Sequence, residues 1–202
     1  MAGALLAPIL ALLLALSPTA LAERATQWPD WRLPAPLERP SNRPGHQDLA
    51  YPTWMAGQWQ VHSDDLVYGV RFAPNAKGAV VGDRAYNATA IGRALLGESL
   101  LSVRDDPRNP NRQIALLSGD RQLESTVVGR RSEQPDAATL LADELSLQVL
   151  HGSGDPRVSR VETLSRYRLL APGRIDGEQW QASYDSPAQG LAAAARRSWS
   201  GT

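Results

Sequence analysis

Three histidines, His46, His62 and His151, and two adjacent carboxylate pairs, Asp64-Asp65 and Asp105-Asp106, are the side chains of this sequence best suited to holding a metal or moving a proton. A zinc site needs three or four converging ligands, and these histidines are far apart with no HxH or HExxH spacing. His46 falls in a proline-rich stretch and reads as solvated, and His62 falls at a strand end on the polar face. Adjacent carboxylates perturb one another's pKa and can hold calcium. Neighbours on a strand point to opposite faces, however, and both pairs fall in turns, where Asp is favoured for local hydrogen bonding. His151 to Asp155, HGSGD, is glycine-rich but lacks the lysine and the following helix of a phosphate loop, so it reads as a hairpin connection. No serine sits in a G-x-S-x-G elbow or an S-x-x-K pair. Cysteine is absent, which removes thiol nucleophiles, cysteine-ligated zinc and iron–sulfur sites. The expectation is no catalytic residue, no metal and no cofactor.

The aromatic residues carry the remaining chemistry. Trp54 and Trp59 fall near the start of the first alternating stretch, and Tyr68, Tyr86, Tyr167, Trp180 and Tyr184 fall at positions expected to face inward. These last five make a candidate ligand-binding interior, because aromatic walls with a few polar tips suit a lipophilic, ring-containing or polyene ligand. They suit a filled core equally well, since an eight-stranded barrel is either filled by side chains or holds one small ligand.

The elements that would position them are strands. Gly57, Trp59 and Val61 alternate with polar neighbours, and Leu66, Tyr68, Val70 and Phe72 do the same beyond a polar Ser63-Asp64-Asp65 turn. Further strands are expected over 79–83, 99–104, 113–118, 122–130, 144–150, 158–170 and 175–184, with Gly119-Asp120 and Pro172-Gly173 at tight connections. Asp105 to Arg112 and Ser132 to Asp136 read as polar loops. Asn87 is placed to cap a helix with Ala88, Ile91, Ala94 and Leu95 on one face and Gly97 at its end. A second short helix is expected from Pro187 to about Ser198. So many strands with few helices between them point to a mainly β protein, an antiparallel up-and-down barrel that covers one face and removes its edges.

Residues 1–22 are uncharged, run apolar from Leu5 to Leu16 and end in Ala20-Leu21-Ala22, the form of a signal peptide with an A-x-A cleavage site. Residues 23–52 are proline-rich and read as an extended arm that docks through Trp28, Trp31 and Leu37. Residues 53–202 form the barrel domain. The 202 residues balance 21 basic against 21 acidic groups, with Lys77 the single lysine. That balance gives no electrostatic reason to expect nucleic acid or an anionic membrane surface. No segment after the signal is apolar enough to cross a membrane.

Gly57-x-Trp59 at the start of the first strand resembles the opening of lipocalin-like barrels. In that resemblance the indole closes the base, Trp54 covers the same end, and an arginine from a late strand, Arg166 or Arg168, stacks on the indole. The stretches LPAPLERP, DLAYPTWMAGQWQV, DRAYNATAIGRALLG, DDPRNPNRQ and DGEQWQASYDSP resemble an uncharacterised family of cyanobacterial and plastid proteins, the plant members being thylakoid-lumenal in type. The resemblances imply an exported protein of the periplasm or thylakoid lumen. The first function expected is binding or carrying a hydrophobic small molecule such as a pigment, quinone or lipid. The alternative is a non-enzymatic assembly factor contacting a photosynthetic membrane complex.

Overall fold

The computed structural model describes residues 44–63, 65–184 and 193–201, with Ala182, Tyr184 and 193–201 described as backbone only. The signal segment 1–22, the arm as far as residue 43, and the 187–192 part of the expected second helix lie outside the described residues. Ten strands follow in chain order: β1 (Gly57–Ser63), β2 (Leu66–Pro74), β3 (Val80–Gly82), β4 (Leu100–Asp106), β5 (Asn109–Leu117), β6 (Arg121–Asp136), β7 (Thr139–His151), β8 (Arg157–Ala171), β9 (Arg174–Tyr184) and β10 (Ala193–Gly201). One helix, α1 (Arg84–Leu96), stands between β3 and β4. Short 3-10 turns occupy Thr53–Met55 and Gly97–Ser99.

All ten strands form one antiparallel sheet in the order β3-β2-β1-β10-β9-β8-β7-β6-β5-β4. Over the described residues the protein is therefore mainly β and antiparallel, with a curled six-strand half-barrel and one helix. The hydrogen-bonded sheet does not close on itself: β3 and β4 are its two edges, and α1 packs against both β2 and β4. The helix thus covers a seam that a closed barrel would fill with ladder hydrogen bonds.

Four expectations are corrected. Residues 193–198, read as helical from their alanines, lie in β10, where pairing with β9 and β1 overrides intrinsic helix propensity. Asn87 is not the helix cap. Asp83 caps α1 by accepting from the Tyr86 N–H at 3.1 Å, while buried Asn87 accepts from the Arg71 N–H at 2.8 Å and donates to the Arg71 carbonyl at 3.1 Å. Its amide continues the ladder where short β3 ends. The polar stretch Ser132 to Asp136 is the outer end of β6, and Asp105 to Arg112 is the β4–β5 hairpin rather than an open loop.

Residues facing each other on paired strands share a face, so the register sorts the side chains. Trp59 and Val61 of β1 meet Val70 and Tyr68 of β2. They cluster across the curl with Leu140, Ala142, Tyr167 and Ile175 of β7 to β9 and with Ile91 of α1. A second cluster at the other end of the same inner face joins Leu100, Ala115, Leu117, Leu123 and Leu150 to Ala88 of α1. Gly57 opens β1 at φ 125°, a backbone setting that L side chains rarely adopt. The Thr53–Met55 turn packs just before it: the Trp59 indole donates to the Met55 carbonyl at 2.9 Å, and Trp54 donates to the Ala137 carbonyl at 3.0 Å.

Candidate functional site

Between its two apolar ends the inner face is polar. Arg130 of β6 stands opposite Glu144 of β7, Glu144 opposite Thr163 of β8, and Thr163 opposite Gln181 of β9. Two rungs along β7, Gln148 stands between Ser125 and Ser159. Directly facing residues have Cβ atoms about 5 Å apart, so these side chains form one continuous band. They are sealed from solvent: Glu144, Gln148 and Thr163 are 1% exposed and Gln181 is 6% exposed.

Arg130 organises one side of the band. Its Nε donates to Glu144 Oε1 at 2.7 Å, its Nη2 to Asn111 Oδ1 at 2.8 Å, and its Nη1 to the Gln47 carbonyl at 2.8 Å. Asn111 donates in turn to the Gly45 carbonyl at 3.0 Å. Arg84 of α1 pairs with Asp48 at 3.0 Å, and the Tyr51 N–H donates to the Val80 carbonyl. Residues 45–51 are thereby strapped over the inner face, and Leu49 and Tyr51 are buried in the first apolar cluster. Burial pushes the Tyr51 phenol well above its usual pKa, helped by the nearby Tyr167, Glu144 and Asp48 and opposed by Arg84.

Five atoms of the band have no hydrogen-bond partner among the described residues: Glu144 Oε2, both amide atoms of Gln148, Thr163 Oγ1 and Gln181 Nε2. Burying a polar atom unpaired costs about 1–3 kcal/mol, and native proteins keep few such atoms unless water or a ligand meets them. Several on one face of three adjacent strands make a polar binding surface the best candidate for function.

The outer face of the same strands holds a second buried group. Asp143 and Glu162 are diagonal neighbours on β7 and β8, and both are buried beside the apolar cluster of Leu141, Leu164 and Trp180. Burial raises the Asp143 pKa to about 9, with further upward pushes from the Glu162 and Glu144 charges and a downward one from Arg131. The Asp143 oxygens have no ordinary donor among the described residues. A hydrogen bond with Glu162 therefore requires that one carboxyl of the pair carry a proton.

A cleft of about 430 Å³ lies between the β3 end and the β4–β5 hairpin, lined by Asp48, Asp83, Arg84, Asp105 and Asp106 among others. Its carboxylates are engaged: Asp83 with Arg71, Asp48 with Arg84, Asp106 with Arg112 and the Arg108 N–H, and Asp105 with Gln113. The arrangement holds a hairpin in place and leaves no carboxylate of this group without a partner.

The aromatic residues expected to form a ligand-binding interior separate. Tyr68 and Tyr167 are buried on the inner face. Trp180, opposite Leu164, is on the outer face. Tyr86 is 39% exposed, with its hydroxyl close to Gly69 and the Arg71 guanidinium 4.0 Å from its ring centre. Tyr184 pairs with Arg160 through its backbone, and its side chain lies outside the described residues. Arg166 and Arg168 leave β8 on the face opposite Trp59. Arg166 pairs with Glu178 and lies 5.8 Å from the Trp180 ring, and Arg168 pairs with Asp176. Gly57 and Trp59 lie at the start of β1, but neither Arg166 nor Arg168 shares their face. The histidines stay apart: His46 is exposed, His62 meets Gln60, and His151 meets Glu124 at 3.5 Å. Among the described residues no three His, Asp or Glu side chains converge as a metal site requires, and no helix is long and apolar enough to cross a membrane.

Period-two reading missed the band because it assigns apolar residues to the inside. Glu144, Ser146 and Gln148 alternate with Leu145 and Leu147, which makes the polar set look solvent-facing. The sign of inversion is on the page of the sequence only through β6 and β9, whose inner positions Ser125, Gln179 and Gln181 are polar too.

A family model described as Domain of unknown function (DUF6816) matches residues 62–194, starting five residues after Gly57. No curated protein and no solved structure matches the chain.

Proposed function

We propose that this chain, which belongs to the DUF6816 family, is a non-enzymatic small-molecule binding protein of an exported compartment, the periplasm or the thylakoid lumen, with its ligand on the inner face of the curled sheet. The observation that carries this reading is the row of unpaired buried polar atoms on Glu144, Gln148, Thr163 and Gln181. The lipocalin-like expectation of a hydrophobic ligand such as a pigment, quinone or lipid changes accordingly. The ligand places a polar group at the band, and any apolar framework it carries lies against the end that contains Trp59, Tyr68 and Tyr167. Export rests on the form of residues 1–22. The test is extraction of the mature protein purified from its native host. A molecule recovered in stoichiometric amount and lost on band substitution supports the reading, whereas a protein that repeatedly carries none and binds none overturns it.

A second reading, an assembly factor acting through protein contacts, draws on the sheet edge at β4, which pairs with no further strand among the described residues, and on exposed Leu101 at the bulge of that strand. Edge strands left open are templates for pairing with another chain. Native pull-down with and without residues 23–43 tests the arm's share. The truncation stops there because Leu49 and Tyr51 belong to the core. Unchanged, partner-free elution of both forms counts against this reading.

A further inference from the structure

We infer that the group received by the inner band is a neutral polyhydroxylated one, a sugar or cyclic polyol, an inference that rests on the binding reading above. The unpaired atoms define what can satisfy them. Glu144 Oε2 and Gln148 Oε1 only accept, Gln148 Nε2 and Gln181 Nε2 only donate, and Thr163 Oγ1 does both. A hydroxyl both donates and accepts, so the hydroxyls of one ring can meet the atoms of Glu144, Thr163 and Gln181, which stand on one rung, and a second ring or a longer polyol reaches Gln148, four residues or roughly 13 Å further along β7. A quinone or ketone offers acceptors alone and leaves Glu144 Oε2 unmet. An aliphatic chain leaves all five unmet.

Charge excludes the ionic alternatives. Glu144 carries one negative charge and is held by Arg130 with contacts of 2.7 and 2.5 Å, both groups being almost wholly buried. The pair cancels, and Gln148, Thr163 and Gln181 are neutral. A ligand bearing a cation or an anion would bring an unbalanced charge into a buried setting, which costs several kcal/mol. The neutral head group belongs either to a free sugar or to a glycolipid.

Access is built into the same contacts. The arginine that neutralises Glu144 also holds the Gln47 carbonyl, and Asn111 joins Arg130 to the Gly45 carbonyl. Entry to the band therefore begins with displacement of residues 45–48.

The test uses the full mature chain in thermal-shift and calorimetric titrations. One arm holds free glucose, galactose, sucrose and myo-inositol. A second holds glucosamine and glucuronate, charged forms of the same ring. A third holds vesicles of phosphatidylcholine with and without a neutral glycosyl-diacylglycerol, and a fourth holds retinol. The expected result is saturable binding of a neutral polyol, free or as a vesicle head group, with the charged rings at least about tenfold weaker, the equivalent of roughly 1.4 kcal/mol. Thr163→Val and Gln181→Leu weaken it at least about tenfold without lowering the melting temperature of the unliganded protein, because an apolar group of similar shape relieves an unpaired buried one. Retinol binding indifferent to both substitutions, with no polyol binding, overturns the ligand class while leaving a binding protein. Tighter binding of a charged ring overturns the charge argument in the same way. No binding in any arm, with ordered water on all five atoms of a crystal structure, overturns both the class and the binding reading.

Discussion

Asp143→Asn isolates the energetic effect of the buried carboxyl pair on the outer face. In the native protein burial and the Glu162 and Glu144 charges raise the Asp143 pKa to about 9, whereas an unfolded Asp titrates near about 3.9. Between those values the native state holds a proton that the unfolded chain has released. The difference in bound protons, unfolded minus native, is minus one, so stability falls as pH rises, by about 1.4 kcal/mol per unit. An asparagine amide fills the same volume and donates to Glu162 as the protonated acid would, but it releases no proton. All other titrating groups cancel in the comparison of variant with parent. Urea unfolding at pH 5 and pH 8 is therefore expected to show the variant gaining about 4 kcal/mol on the parent across three units, in addition to the roughly 1.5 kcal/mol the parent has already lost between about pH 3.9 and pH 5. The pair's stabilising proton is fully present at the acid end and is lost as pH approaches 9. A stability difference that does not change with pH, or one that moves toward the parent at alkaline pH, refutes the claim that Asp143 is protonated in the native state.

Trp59→Ala removes a buried indole and leaves the Met55 carbonyl without its donor; chemical denaturation is expected to show a loss of about 3–5 kcal/mol. Arg130→Met leaves Glu144 buried and uncompensated and is expected to cost about 3–5 kcal/mol, whereas Arg130→Met combined with Glu144→Met recovers most of it; a double-mutant cycle by urea unfolding reads the coupling. Asn87→Ala leaves both polar groups of the Arg71 backbone without their side-chain partner and is expected to cost about 2–4 kcal/mol. Asp83→Ala, which removes the cap and a largely exposed ion pair with Arg71, costs about 1–2 kcal/mol; equal losses in the two variants refute the ladder role assigned to Asn87.

Strand content and the antiparallel order were legible because Gly, Pro and Asp-rich turns punctuate runs of period two, and the turns at Gly119-Asp120 and Pro172-Gly173 fall where they were read. The polarity of the faces was not. On β7 to β9 both faces are buried, so hydrophobicity cannot tell in from out, and alternation alone puts Trp180 inward. The register settles it: Gln181 faces Thr163, which places Trp180 on the other side. The same limit explains the helix read over residues 187–198. Ala193 to Ala195 prefer helix in isolation, and their pairing with Ser183, Ala182 and Gln181 is a long-range fact that no local window contains.

The inner band also sets a relation between occupancy and stability. Five unpaired buried atoms at about 1–3 kcal/mol each sum to roughly 5–15 kcal/mol, the size of the whole net stability of an ordinary domain. A chain without disulfides meets such a cost only through its apolar clusters. Anything that satisfies the band in the folded state alone therefore adds to stability as RT ln(1 + [L]/Kd), about 2.7 kcal/mol at a hundredfold excess over Kd. An apolar substitution at Thr163 or Gln181 gains part of that stability permanently and loses the ligand. The two effects have opposite signs only if the band binds something. A purely structural band would give variants that are more stable with every probe present and with none.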